Sequence, residues 1–202
     1  MARTDTRQRL LDAAITLVAR GGMRALSHRA LENEAGVSRG STTYHLGTSH
    51  QIVEALLERL AELDAAAISD ALGRLAIAQL AAPVTGEEPT TDAAVRLVTS
   101  ALLVAPERAL ARYTLMIEAA RDESLRPVIR RWRDEFAAIP APMLARLGAE
   151  APEDAARDMV ALMDGIIFEH LSTGRSGLED RLAATVADYV RRLTSEPRPE
   201  GG

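Results

Sequence analysis

EAGVSRGSTTYHLGTSHQ, residues 34–51, is the stretch on which the reading of the chain turns. A glycine and a small polar turn lead into Ser41, Thr42, Thr43, Tyr44 and His45, and a second glycine, Gly47, closes the run. Few of these residues favour helix, yet helical patterns flank them on both sides. Upstream, Leu10, Leu11, Ala14, Leu17 and Val18 recur at helical spacing until Gly21-Gly22. Ser27 is placed to cap a short second helix over roughly 27–34, with Leu31 pointing inward, and Gly36 suits its left-handed end. Val37 then turns into the core, and Ser38 is expected to cap a third helix of about seven residues. Gly47 ends that helix and Thr48 caps a long fourth one, whose Ile52, Leu56, Leu60, Leu63 and Ala67 keep one stripe apolar.

Helix, a short glycine-bearing turn, then helix is the pattern of a helix-turn-helix. In that motif the second helix lies in the DNA major groove, so its outer face must offer donors and acceptors to base edges and phosphates. Ser41, Thr42, Thr43, Tyr44 and His45 are side chains of that kind, and Arg39 can reach guanine or phosphate. Gly40 and Ser41 would let the helix start approach DNA closely. An ordinary polar hairpin of helices has the same periodicity, so spacing alone leaves both readings open.

Composition narrows the classes. The chain has 202 residues, 47% of them hydrophobic, which is enough for a packed core. It has no cysteine, which excludes disulfides, thiolate metal sites and cysteine nucleophiles. No apolar run approaches the roughly 20 residues of a membrane span, and the start lacks a signal peptide's apolar stretch, so a cytoplasmic protein with no membrane partner is expected. The net charge of −5 hides an asymmetry: residues 1–50 carry seven Arg against four acidic residues, the rest 17 Arg against 25 acidic residues. A basic first quarter on an acidic body fits a polyanion partner for that quarter.

Beyond the fourth helix, APVTGEEPTTD (82–92) reads as a loop. A fifth helix is expected at about 91–104, a sixth from Pro106 to about 122, and a seventh from Ser124 and Pro127 that Pro140 and Pro142 must kink or break. An eighth runs from Pro152 to the STG at 172–174, and a ninth over about 178–194.

Residues 7–57 resemble the DNA-binding domain of the tetracycline-repressor (TetR) family. The likeness is carried by Leu26-Ser27, Ala35-Gly36-Val37-Ser38, Gly40-Ser41-Thr42, Tyr44-His45-Leu46 and Thr48 before Ile52. LMDGIIFEHLSTG (162–174) is similar to the family's penultimate helix. Thr42 stands where the family usually has Leu, Thr43 where it has Tyr, Leu46 where it has Phe, and Ser49-His50 where it has a Lys-Glu pair. Losing that Lys suggests fewer charged phosphate contacts and a shallower salt dependence.

The resemblance implies an all-α protein of about nine helices: a three-helix DNA-binding domain (1–47), then a helical effector-binding and dimerisation domain (48–202). It implies a regulator, most often a repressor, that holds a palindromic double-stranded operator and is released by a small molecule. Ser27, His28, Ser38, Arg39, Gly40, Ser41, Thr42, Thr43, Tyr44, His45, Thr48 and Ser49 are the candidate DNA contacts. A homodimer would form through the last two helices, whose apolar rows are Met159, Leu162, Met163, Ile166 and Ile167, and Leu182, Val186, Tyr189, Val190 and Leu193. Helices four to seven would enclose an effector of unknown identity; Leu63, Leu97, Tyr113, Met116, Trp132, Phe136 and Met163 are candidate lining residues, though each also fits plain core packing.

No cofactor or metal is expected: His28, His45 and His50 are not spaced like a zinc site, and His170 has no second ligand at helical spacing. An enzyme has least support, with no nucleophile beside a base, no paired carboxylates at an identifiable spacing and no phosphate loop. A DNA-binding protein whose body takes a protein partner remains the alternative.

Overall fold

The computed structural model describes residues 2–85, 90–103 and 105–195. Ten α-helices lie among them: α1 (Ala2–Gly21), α2 (His28–Ala35), α3 (Ser41–Leu46), α4 (Ser49–Thr85), α5 (Thr91–Leu103), α6 (Pro106–Arg121), α7 (Arg126–Ala137), α8 (Ala141–Arg146), α9 (Pro152–Thr173) and α10 (Leu178–Ser195). The fold is all-α, and the helix beyond the expected nine comes from Pro140 and Pro142. They break the seventh helix, as a ring without an N–H must, and start α8. Of the loop expected at 82–92, residues 86–89 lie outside the described residues, and α4 runs on to Thr85.

The chain divides into two compact units, Met1–Ala66 with Leu102–Trp132, and Ala67–Ala101 with Arg133–Gly202. The expected 1–47 domain falls wholly within the first. In that unit α1 packs against α2, α3 and α6. Its core joins Leu10, Leu11, Ala14 and Val18 of α1 to Leu31 of α2, Leu46 of α3, Ile52, Leu56 and Leu60 of α4, and Ala111 and Leu115 of α6. Burying a Leu or Ile contributes about 1.5–3 kcal/mol each, so this core fixes the small helices that lack intrinsic helix preference.

In the second unit α9 packs against α8 and α10. Leu144, Ala155, Ala156, Leu182 and Val186 are buried, and the Tyr189 hydroxyl donates to the Ala155 carbonyl at 2.9 Å. The apolar rows expected to face a partner are therefore divided. Met159, Ile167, Leu182 and Val186 are consumed within the chain, while Leu162 of α9 remains exposed, as does Phe168, which lies outside the expected rows.

Among the described residues no helix is long and apolar enough to cross a membrane.

Candidate nucleic-acid interface and effector site

Local chemistry sets the α2–turn–α3 geometry. The Ser27 hydroxyl accepts from the Ala30 N–H and starts α2. Gly36 ends it in the left-handed region at φ 61°, and Arg9 of α1 donates to the last carbonyls of α2, Ala35 at 2.6 Å and Gly36 at 3.3 Å. The third helix departs from expectation. It has six residues, and its N-cap is Gly40 at φ 85°, a left-handed position that glycine occupies without strain. Ser38 is not the cap. The chain makes one more turn first, with the Ser41 N–H donating to the Ser38 carbonyl and the two hydroxyls 3.1 Å apart. Thr48 does cap α4, in a reciprocal box: its hydroxyl accepts from the Gln51 N–H, and the Gln51 side chain accepts from the Thr48 N–H.

Most of the predicted contacts are exposed. Ser38, Arg39, Gly40, Thr43, Tyr44, Thr48 and Ser49 are exposed, with Ser27 exposed at the start of α2. Tyr44 is 67% exposed, a large value for an aromatic ring, and meets the His45 ring edge-on at 4.9 Å. Ser41 and His45 are half-buried.

Two residues do not fit an outward role. Thr42 is fully buried: its hydroxyl donates to the His28 carbonyl at 3.3 Å, so it belongs to the α2–α3 seam and not to the outer face. In a helix, position 42 shares a side with Leu46 four residues on, and that side faces the core. His28 is half-buried, with Nε2 turned inward and without a hydrogen-bond partner among the described residues.

Sequence reasoning missed Glu32. It is 7% exposed, and its carboxylate accepts from the Gly40 N–H at 2.8 Å and the Thr42 N–H at 3.2 Å.

The candidate effector residues fall in both units. In the first, Tyr113 and Trp132 are buried, and Leu63 and Met116 are half-buried. Between helices α4 and α6 lies an ion pair that the sequence did not reveal, with the Arg112 guanidinium donating to the Asp64 carboxylate at 2.7 Å and both side chains almost wholly buried. Arg112 also lies over two aromatic faces, 5.3 Å from the Tyr113 centroid and 6.0 Å from that of Trp132. Tyr113 and Trp132 thus surround a cation of the protein itself. Leu97, Phe136 and Met163 belong to the second unit, all half-buried. Nearby, Arg133 pairs with Asp164, while Arg131 pairs with Glu58 within the first unit. His170 holds the α9–α10 turn through the Arg175 carbonyl. Among the described residues no three His, Asp or Glu side chains converge on a metal position.

Residues 85–196 match the model of the tetracyclin repressor-like C-terminal domain, more than half of the chain. The chain belongs to the TetR family of transcriptional regulators. Solved structures agree over nearly the whole length. The chain is 30% identical to the multidrug binding protein EbrR in complex with malachite green, covering 91% of this chain and 96% of that one at a TM-score of 0.65. It is 29% identical to a TetR-family member from Streptomyces coelicolor A3, covering 91% and 97% at a TM-score of 0.67. A TetR-family regulator from Rhodococcus sp., 21% identical, shares the fold at a TM-score of 0.73 over 94% and 100%. No curated protein matches the chain.

Proposed function

We propose that this TetR-family member is a cytoplasmic homodimeric repressor that reads a roughly palindromic operator through α3 and lets go when a small molecule binds its body. The observation that carries the reading is the outer surface of the turn and α3. Arg39, Thr43 and Tyr44 stand in solvent there, while Thr42 and Leu46 hold the opposite side to the core. That surface offers a guanidinium, a hydroxyl and a phenol to base edges and phosphates. The test begins with selection of duplexes from a random pool at moderate salt. The protein is expected to enrich one palindrome, and a folded sample with no duplex preference overturns the reading. Tyr44→Ala is then expected to weaken operator binding by roughly tenfold or more while changing stability by less than about 0.5 kcal/mol, because the ring is exposed.

Dimerisation is supported by α9, where Leu162 and Phe168 are exposed and Gly165 lies between them on the exposed side. A two-fold dimer would set the two α3 helices for half-sites about 34–36 Å apart or a multiple of that. Removing α10 is a poor test, since α10 supplies Leu182 and Val186 to the chain's own core. Leu162→Glu with Phe168→Glu leaves that core intact and is expected to sediment as a monomer.

A small-molecule effector is supported by the EbrR structures with imidazole, malachite green, ethidium and proflavin. In this chain Tyr113, Trp132 and the Asp64–Arg112 pair are the residues we assign to respond. The route to DNA is short: α6 carries Arg112 and Tyr113, and its Ala111 and Leu115 share a core with α1. The effector must favour the DNA-incompetent shape, and a roughly 100-fold preference, about 2.7 kcal/mol, is enough for useful release.

A further inference from the structure

We infer that Glu32 is a positioning residue for operator reading: a buried carboxylate on α2 that stands in for the missing cap of α3 and closes that helix's N-terminus to DNA phosphate. The inference rests on the reading of α3 as the DNA-contacting helix. Its sequence, STTYHL, begins with three residues that favour other conformations, and it has six residues in all, too few to be stable alone. The N-cap is Gly40, which has no side chain to accept from the first amides. Glu32 takes that role from another helix, eight residues back from Gly40 and ten from Thr42, with one oxygen receiving both N–H groups. Charge-assisted bonds of this kind are about twice as strong as neutral ones, and a buried carboxylate is tolerated where such donors surround it.

Two consequences follow. The angle between α2 and α3 is fixed from three points: Glu32 to the Gly40 amide, Glu32 to the Thr42 amide, and the Thr42 hydroxyl to the His28 carbonyl. The residues that would touch bases, Thr43 and Tyr44, follow directly on the capped turn, so an error in that angle moves them together. In addition, the Gly40 and Thr42 amides point at Glu32, so they do not bind phosphate. Contacts from this end of α3 must come from side chains, Arg39 first.

The experiment measures affinity for the selected operator and for random duplex, well below the melting temperature, for wild type, Glu32→Ala and Glu32→Gln. Glu32→Ala is expected to lose about 10- to 100-fold in operator affinity, the range that breaking charge-assisted bonds implies. Glu32→Gln keeps an oxygen in place without the charge and should fall between. Random-duplex binding should stay near wild type, because Arg39 is untouched. A role in stability alone would lower the melting temperature and leave the ratio of operator to random binding unchanged, and that result overturns the inference. If Glu32→Ala does not fold, hydrogen exchange at the Gly40 and Thr42 amides decides with Glu32→Gln. Faster exchange together with weaker operator binding supports the role, and wild-type operator binding overturns it. A wild-type protein that prefers no duplex overturns the DNA reading itself, a separate failure.

Discussion

Glu32 and Asp64 are both buried carboxylates in the first unit, and they are neutralised in different ways. Glu32 accepts from two backbone amides of a turn whose outer side, at Gly40, is open to solvent. Asp64 accepts from a guanidinium 48 residues away that is itself almost wholly buried beneath aromatic rings. The first arrangement organises a piece of backbone that would not hold its shape unaided. The second ties α4 to α6. The contrast predicts different costs of rupture. The Gly40 amide, at the surface, can be rehydrated when its acceptor goes, whereas a buried carboxylate that loses its guanidinium keeps its charge away from water.

The largest effect should come from breaking the Asp64–Arg112 pair on one side. Arg112→Met leaves the Asp64 carboxylate buried beside an apolar chain, and a loss of about 3–5 kcal/mol in denaturant unfolding is expected. Replacing both ions, as Asp64→Leu with Arg112→Met, should recover most of that loss, because an apolar pair of similar volume has no desolvation to offset. If the single variant costs less than about 1 kcal/mol, or no more than Glu32→Ala, the contrast between the two carboxylates collapses.

A smaller effect sharpens the other side of the comparison. Thr42→Val preserves the shape of the buried side chain and removes its bond to the His28 carbonyl. About 1 kcal/mol of stability should be lost, including the cost of leaving that carbonyl short of a donor. Because Thr42 is one of the three points that set the α2–α3 angle, operator affinity should fall more than stability alone accounts for. Equal losses would place the control of that angle in Glu32 alone.

Much of this architecture is visible in the residues. Gly36 and Gly47 mark the ends of α2 and α3, Ser27 and Thr48 the caps of α2 and α4, and Pro106 and Pro152 the starts of α6 and α9. These are local signals: a turn residue or cap acts on its own neighbours, so spacing reveals it. What stayed hidden is long-range or disguised. Thr42 has a polar name and a buried place, and the hint was that the resembling family carries Leu there. Glu32, Asp64 and Arg112 look like solvated helix charges, because nothing in local spacing says that a Glu will meet amides ten residues on or that an Asp will meet an Arg on another helix. Arg9 and Arg20 are a milder case. They counted toward a basic first quarter, but Arg9 closes the end of α2 and Arg20 pairs with Glu34, so part of that charge is committed within the chain. The Ser38 cap failed for a conformational reason: once Gly40 turns left-handed, the helix starts after it.

Glu169 supplies the mild end of the series, a carboxylate paired at the surface. Its oxygens accept from Arg181 at 2.5 Å and lie 3.4 Å from Arg175, across the turn between α9 and α10. The Arg181 hydrogen bond is the main cause that holds its carboxyl below the ordinary Glu range, with the charges of Arg181, Arg175 and His170 adding to it. Because the folded value lies below the unfolded one, the unfolded chain binds the proton first as pH falls. The contribution is therefore complete above the ordinary Glu value of about 4.3 and is lost as pH drops through the lower folded value. Melting temperatures of wild type and Glu169→Gln should differ near neutral pH and converge only once pH has fallen below the lowered folded value, where the wild-type carboxylate is protonated too. Added salt should shrink the neutral-pH gap, since the pair is exposed enough to be screened. Curves that stay parallel through the acid range would mean that the Arg181 contact adds no charge-dependent stability. Surface ion pairs would then rank with neutral contacts, and burial alone would separate Asp64 from Glu169.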